Sequence, residues 1–275
     1  MKIEIINTVN ESLKYIEAVF SGQDKEQAWE NIVVAPYWEK LFCYAPFDLS
    51  DRKPAAVMDM TALKRQAEIM QSIDIGKLEK EFERVTKILP NFDDDPITVV
   101  LFPSDNGDIT VNEKQNGVVG TSLFGNLYIK INPLIDGYED WIKYVFAHEY
   151  HHTVWGNYWY VLNGGKLDGS FINSLFIDGE ADSFALEMYP SLKPLWIFGL
   201  SEDDKRFLWE KHYKNIVNET NVDYDKYMFG SEEDDIPWCA GYAIGYMLVQ
   251  NCLKQLGGSV TEILKNSPAE LFGTN

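Results

Sequence analysis

Five consecutive residues, His148-Glu149-Tyr150-His151-His152, hold three of the four histidines in this 275-residue chain. The pattern is H-E-x-x-H, the zinc-binding signature of a metallopeptidase helix. Residues i and i+4 lie one helical turn apart, so His148 and His152 share a face and can aim their imidazoles at one ion. Glu149, beside the first ligand, is placed to take a proton from a water activated by that ion. A structural zinc site has no use for such a base, so Glu149 argues for catalysis.

The flanking residues predict the helix that must carry this pair. Asp136-Gly137-Tyr138-Glu139-Asp140 offers a cap and two acids for a first turn. Trp141, Val145, His148, Glu149 and His152 then fall on one helical stripe, and Gly156-Asn157 is the expected stop.

Catalytic zinc takes three protein ligands and leaves a position for water. The only histidine outside the motif is His212, so a carboxylate on a second helix is expected as the third ligand. Phe176 to Ala185 supplies the candidates. Asp178 shares a face with Leu175, Ala181, Asp182 and Ala185, and Glu180 shares another with Phe176, Ile177, Phe184 and Glu187. The small residues around Asp178 would let two helices approach closely, so Asp178 is preferred and Glu180 is the alternative. Asp182, one turn after Asp178, could accept a hydrogen bond from the free nitrogen of a ligating histidine.

These segments resemble the bacterial YjaZ-type family of predicted zinc-dependent proteases, a domain of unknown function related to gluzincins. The matching pieces are Ala147 to Thr153, Asp178-Gly179-Glu180-Ala181-Asp182-Ser183-Phe184-Ala185, and Ala240-Gly241-Tyr242-Ala243-Ile244-Gly245-Tyr246. Leu101-Phe102-Pro103-Ser104 and Asn116-Gly117-Val118-Val119-Gly120 look like further family features, and the likeness runs over roughly residues 30 to 275. It implies a zincin-like metalloprotease fold, a Zn2+ cofactor and a peptide or protein substrate. It also implies a glutamate ligand where this chain has Asp178, one methylene shorter.

Composition fits one large unit with a substantial core: 45% of residues are hydrophobic and 14% aromatic. A net charge of -19 repels phosphate backbones and argues against a nucleic-acid partner. Three cysteines without close spacing, Cys43, Cys239 and Cys252, predict neither a disulfide framework nor a cysteine zinc site. The first residues lack a signal-peptide pattern and no apolar run suits a membrane span, so a cytoplasmic protein is expected.

The predicted fold class is α+β, a single zincin-like unit over residues 1–275. A mixed lobe with a small sheet spans 1–135, and a helical lobe carrying the metal-binding helices spans 136–275. Helices are expected at 10–21 (with Leu13, Ile16 and Phe20 inward), in part of 26–45, at 61–73 and at 76–89. Ile97 to Phe102 reads as a buried strand and 117–132 as a second one, with only helices beyond 136. Ser259 with Glu262, and Ser267 with Glu270, form two capping boxes. Ligand sites favour clefts between lobes, which suits a metal helix at this junction. In gluzincin-like enzymes the strand before the metal helix borders the cleft, and Thr121 to Leu127 is the expected edge for peptide addition.

The oxyanion formed during attack needs a donor beside the metal. Tyr242 is preferred, Tyr246 shares its face, and His212 is a weaker alternative. His151 points away from the ligand pair, toward a supporting position or the surface. The expected function is zinc-dependent peptide-bond hydrolysis with Glu149 as general base. The alternative is a metal-binding adaptor or chaperone-like protein that keeps the fold with weak or no catalysis.

Overall fold

The computed structural model describes residues 2–45 and 48–273 and has an α+β fold. Its residues group into two compact units, Met1–Val154 and Trp155–Asn275.

The first unit is built on a four-stranded sheet: β1 (Ile3–Asn7), β2 (Ile97–Pro103), β3 (Val118–Leu123) and β4 (Asn126–Ile131). The strand order is β1-β2-β4-β3; β1, β2 and β4 run parallel, and β3 is an antiparallel edge. Every residue of β2 is buried, as its unbroken apolar run demands. Among the described residues, five α-helices separate β1 from β2: α1 (Val9–Phe20), α2 (Lys25–Trp29), α3 (Ala35–Leu41), α4 (Met60–Met70) and α5 (Ile75–Ile88). Asp24, Asp59 and Asp74 cap α2, α4 and α5 by accepting backbone N–H bonds, which satisfies donors a helix start leaves open.

One face of the sheet packs Val100, Phe102 and Tyr128 against Tyr15, Trp29, Trp38 and Leu63. Three buried ring heads then find backbone acceptors on one stretch of chain. Trp29 Nε1 donates to Pro54 at 2.9 Å, Tyr15 Oη to Val57 at 2.8 Å and Tyr128 Oη to Arg52 at 2.6 Å. Residues 53–57, which follow a short 3-10 helix at Ser50–Arg52, are thereby pinned without regular secondary structure of their own.

The expected strand at 117–132 is two strands, turned at Phe124-Gly125 into a hairpin. The N-terminal strand β1 adds to the sheet beside β2, its Ile3 and Ile5 buried. Phe20 does not join the core: it is 76% exposed, and α1 buries Tyr15, Ile16 and Ala18 instead.

α6 (Tyr138–Gly156) carries the histidine motif and passes without a break into a π-helical segment, Asn157–Leu162. Gly156 is thus not a stop; it keeps helical angles, φ -61° and ψ -44°. Nor is α6 buried along a single stripe, because Tyr144, Phe146, Tyr150 and Val154 are as enclosed as Trp141 and Val145.

The second unit is helical: α7 (Phe171–Met188), α8 (Leu195–Phe198), α9 (Glu202–Leu208), α10 (Tyr224–Phe229), α11 (Ala240–Leu256), α12 (Val260–Ile263) and α13 (Pro268–Phe272). Its core joins Phe171, Leu175 and Phe176 of α7 to Ile244, Leu248 and Cys252 of α11. Both expected capping boxes form, at Ser259/Glu262 and Ser267/Glu270. Among the described residues, no helix is long and apolar enough to cross a membrane.

Candidate metal centre

Aromatic packing fixes α6 within the first unit. Phe146 stacks on Phe82 of α5 with ring centroids 3.7 Å apart and planes 6° from parallel. Tyr150 stacks on Phe146, and its hydroxyl donates to the Leu89 carbonyl at 2.8 Å. With that side of the helix tied to α5, His148 and His152 share another.

Their Nε2 atoms stand 3.0 Å apart, with the rings edge to face at 88°. With both rings protonated at Nδ1, these two nitrogens could be held by one ion. Tetrahedral zinc with bonds of about 2.0–2.1 Å would hold two ligating nitrogens roughly 3.3 Å apart, so the pair is close to the spacing an ion requires.

Glu149 lies against the edge strand. Its Oε2 accepts the Ser122 backbone N–H at 2.8 Å, while Ser122 Oγ meets Thr153 Oγ1 at 3.2 Å. The contact depends on Gly120: a Cβ there would collide with Glu149 Cγ and stand 2.7 Å from Val145 Cγ1 and 2.8 Å from Glu149 Oε1. The stretch expected as an edge divides: Thr121 to Leu123 lie on edge strand β3, and Asn126-Leu127 belong to β4, which is paired on both sides. His151 is fully buried, which removes the surface option; burial holds its imidazole neutral, well below its ordinary pKa.

In the second unit, α7 and α11 meet backbone to backbone. A Cβ on Gly179 would collide with the Gly245 carbonyl and stand 2.9 Å from Tyr246 N. This close approach sets Asp178 and Asp182 of α7 near Tyr242 of α11. Burial first, then the negative charge of Asp178, push the Tyr242 phenol well above its ordinary pKa. Tyr242 therefore stays protonated and can donate a hydrogen bond. Tyr246 lies one turn further along α11. Its phenol is raised by burial and by Asp182, Glu202 and Glu187, and its ring packs edge-on to Phe198 at 5.9 Å. The Trp196 indole N–H donates to both Asp182 oxygens at 3.1 Å and orients that carboxylate. Glu180 is fully buried, and burial raises its pKa far above the usual carboxylate range. Burial lowers the His212 pKa, Lys211 and Lys226 lower it further, and Asp234 and Asp235 oppose them.

Among the described residues, His148, His152 and Asp178 form the group of histidine, cysteine or acidic side chains that could hold a metal ion. One ligand atom from each lies within 4.8 Å of the others, and His148 and Asp178 are buried. Glu180 is not part of the group. Two imidazoles and one carboxylate are a donor set that suits zinc and leaves room for water. Sequence patterns singled out every member of this group but not the residues that space and orient it: Gly120, Ser122, Trp196 and the Gly179–Gly245 contact. Gly120 and Gly179 lay in motifs already noted, yet only the approach of a distant segment reveals why each must be glycine.

A family model described as "Predicted Zn-dependent protease (DUF2268)" matches residues 76–272. No curated protein and no solved structure matches the chain.

Proposed function

The chain belongs to this family of predicted zinc-dependent proteases, and from that premise we propose that it is a zincin-like metallopeptidase using His148, His152 and Asp178 as metal ligands and Glu149 as general base. The observation that carries the proposal is the convergence of two α6 imidazoles, 3.0 Å apart, with a buried aspartate whose ligand atom lies within 4.8 Å of theirs. Glu149 is the residue next to the first ligand, where a catalytic rather than a structural site needs a base.

When bound, zinc supplies a Lewis acid that brings the pKa of a water toward about 7 and polarises the scissile carbonyl. Glu149 takes the proton of the attacking water and passes it to the leaving amine nitrogen. Ser122 N–H holds one carboxylate oxygen at 2.8 Å, so the other can face the water without losing its orientation. Tyr242, kept protonated by burial and by Asp178, donates its hydroxyl proton in a hydrogen bond to the developing oxyanion. Asp182, oriented by the Trp196 indole N–H, is the carboxylate that would accept from a ligating imidazole and fix its tautomer. The edge strand β3 offers main-chain groups along which an extended peptide can lie, except at Ser122 N–H, which Glu149 occupies.

The test is Glu149→Gln. It keeps the shape of the side chain and the three ligands but removes the base. Turnover of a peptide substrate should fall to background while zinc content matches wild type. Turnover that survives the change would refute Glu149 as the base. Zinc bound by wild type with no turnover on any peptide would leave the adaptor reading.

A further inference from the structure

The hairpin joining β3 to β4 turns through two residues, Phe124 and Gly125, with φ +58° and +135°. A two-residue turn with positive φ at both positions suits Asn-Gly or Asp-Gly. A phenylalanine there is conformationally costly, because its Cβ crowds the backbone in the left-handed region. Phe124 is 36% exposed. Beside it, the half-exposed Tyr44 packs on Gly125, where an added Cβ would stand 3.0 Å from Tyr44 Cδ2. The tip therefore carries a partly exposed aromatic in a left-handed turn position that asparagine fills at less conformational cost. Such strain concentrates at functional positions.

Its location says what the ring is for. Ser122, two residues earlier and inside β3, donates the N–H that holds Glu149, while Phe124 opens the turn just past the strand's end. Alternate residues of an extended chain lie about 6.7 Å apart on one face. A peptide lying along β3 with its scissile bond at Glu149 would thus bring a side chain about two residues away beside Phe124. Resting on the peptidase reading, we infer that Phe124, with Tyr44, is a specificity element that receives a large apolar or aromatic side chain of the peptide substrate.

The experiment uses internally quenched peptides that are identical except for one position, Phe or Ser, stepped along the sequence. Wild type, Phe124→Asn and Phe124→Tyr are compared with zinc present. Wild type should prefer Phe at one position by about tenfold or more in kcat/KM. Phe124→Asn should lose most of that preference, chiefly through KM, yet raise Tm by about 2 to 4 °C as the turn relaxes. Phe124→Tyr should keep both the preference and the lower Tm. A preference unchanged in Phe124→Asn, or a Tm that fails to rise, overturns the inference. If wild type cleaves none of the peptides, the peptidase reading fails by itself. Fluorescence-polarisation binding of the same Phe and Ser peptides then decides the inference, and equal affinities overturn it.

Discussion

Gly120 of β3 and Glu149 of α6 stand so close that no side chain fits between them: a Cβ on residue 120 would collide with Glu149 Cγ and lie 2.8 Å from Oε1. The base proposed for this chain is thus positioned by the absence of a side chain as much as by the Ser122 N–H it accepts. Gly120 does not have a positive φ, so alanine costs nothing in backbone conformation there, and its effect would come from the contact. Gly120→Ala should lower kcat by about 10- to 100-fold through misplacement of Glu149, with zinc content unchanged. Steady-state kinetics paired with elemental analysis checks this. Equal loss of zinc and of activity would show instead that the whole helix had moved.

Gly245 has the corresponding part in the second unit. A Cβ there would collide with the Leu175 carbonyl oxygen, 3.0 Å from its carbon and 3.4 Å from Gly179 N, all of it backbone that cannot swing aside. Gly245→Ala should cost about 1–3 kcal/mol of stability by forcing α7 and α11 apart. Urea denaturation measures the loss, and a midpoint equal to wild type would contradict the packing described.

Tyr242 is expected to act through one hydrogen bond. Tyr242→Phe keeps the ring, which sits 5.9 Å from Phe229, and removes only the donor. Loss of a single oxyanion donor costs about 10²- to 10³-fold in kcat, and zinc content should be untouched. A kcat equal to wild type would assign oxyanion stabilisation to another group.

Alkaline pH should weaken the fold in part through Tyr15. Burial, with Asp105 and Asp24 nearby, pushes this phenol up to about 12 from an ordinary 10. The folded state therefore retains a proton that the unfolded chain releases above pH 10. Stability is fully present below pH 10 and is lost as pH rises through 12. Urea titrations from pH 9 to 12 should show this decline, and a shallower one in Tyr15→Phe. Parallel declines would rule out Tyr15 as a contributor.

The ligand helix was legible because its information is local: i and i+4 spacing fixes the histidine pair on one face, and the acids before Trp141 mark its start. Asp178 was legible from the small residues on its helical face, although the close helix contact forms at Gly179, one residue along. The hairpin was not legible. Phe124-Gly125 lacks the usual turn pair, so the alternation of 117–132 reads as one strand. Phe20 looked like core because it completes a stripe with Leu13 and Ile16, but α1 is rotated so that Tyr15 and Ala18 face inward. The continuation past Gly156 was hidden for a related reason. Glycine permits a helix end without requiring one, and the residues that follow close π-type hydrogen bonds instead.

Zinc content of wild type, Asp178→Ala and Glu180→Ala, measured by elemental analysis after saturation with zinc and desalting, tests the metal centre most directly. The account predicts about one zinc per chain in wild type and in Glu180→Ala, and its loss in Asp178→Ala. Zinc retained in Asp178→Ala but lost in Glu180→Ala would contradict the ligand set, and no zinc in wild type would contradict the metallopeptidase itself.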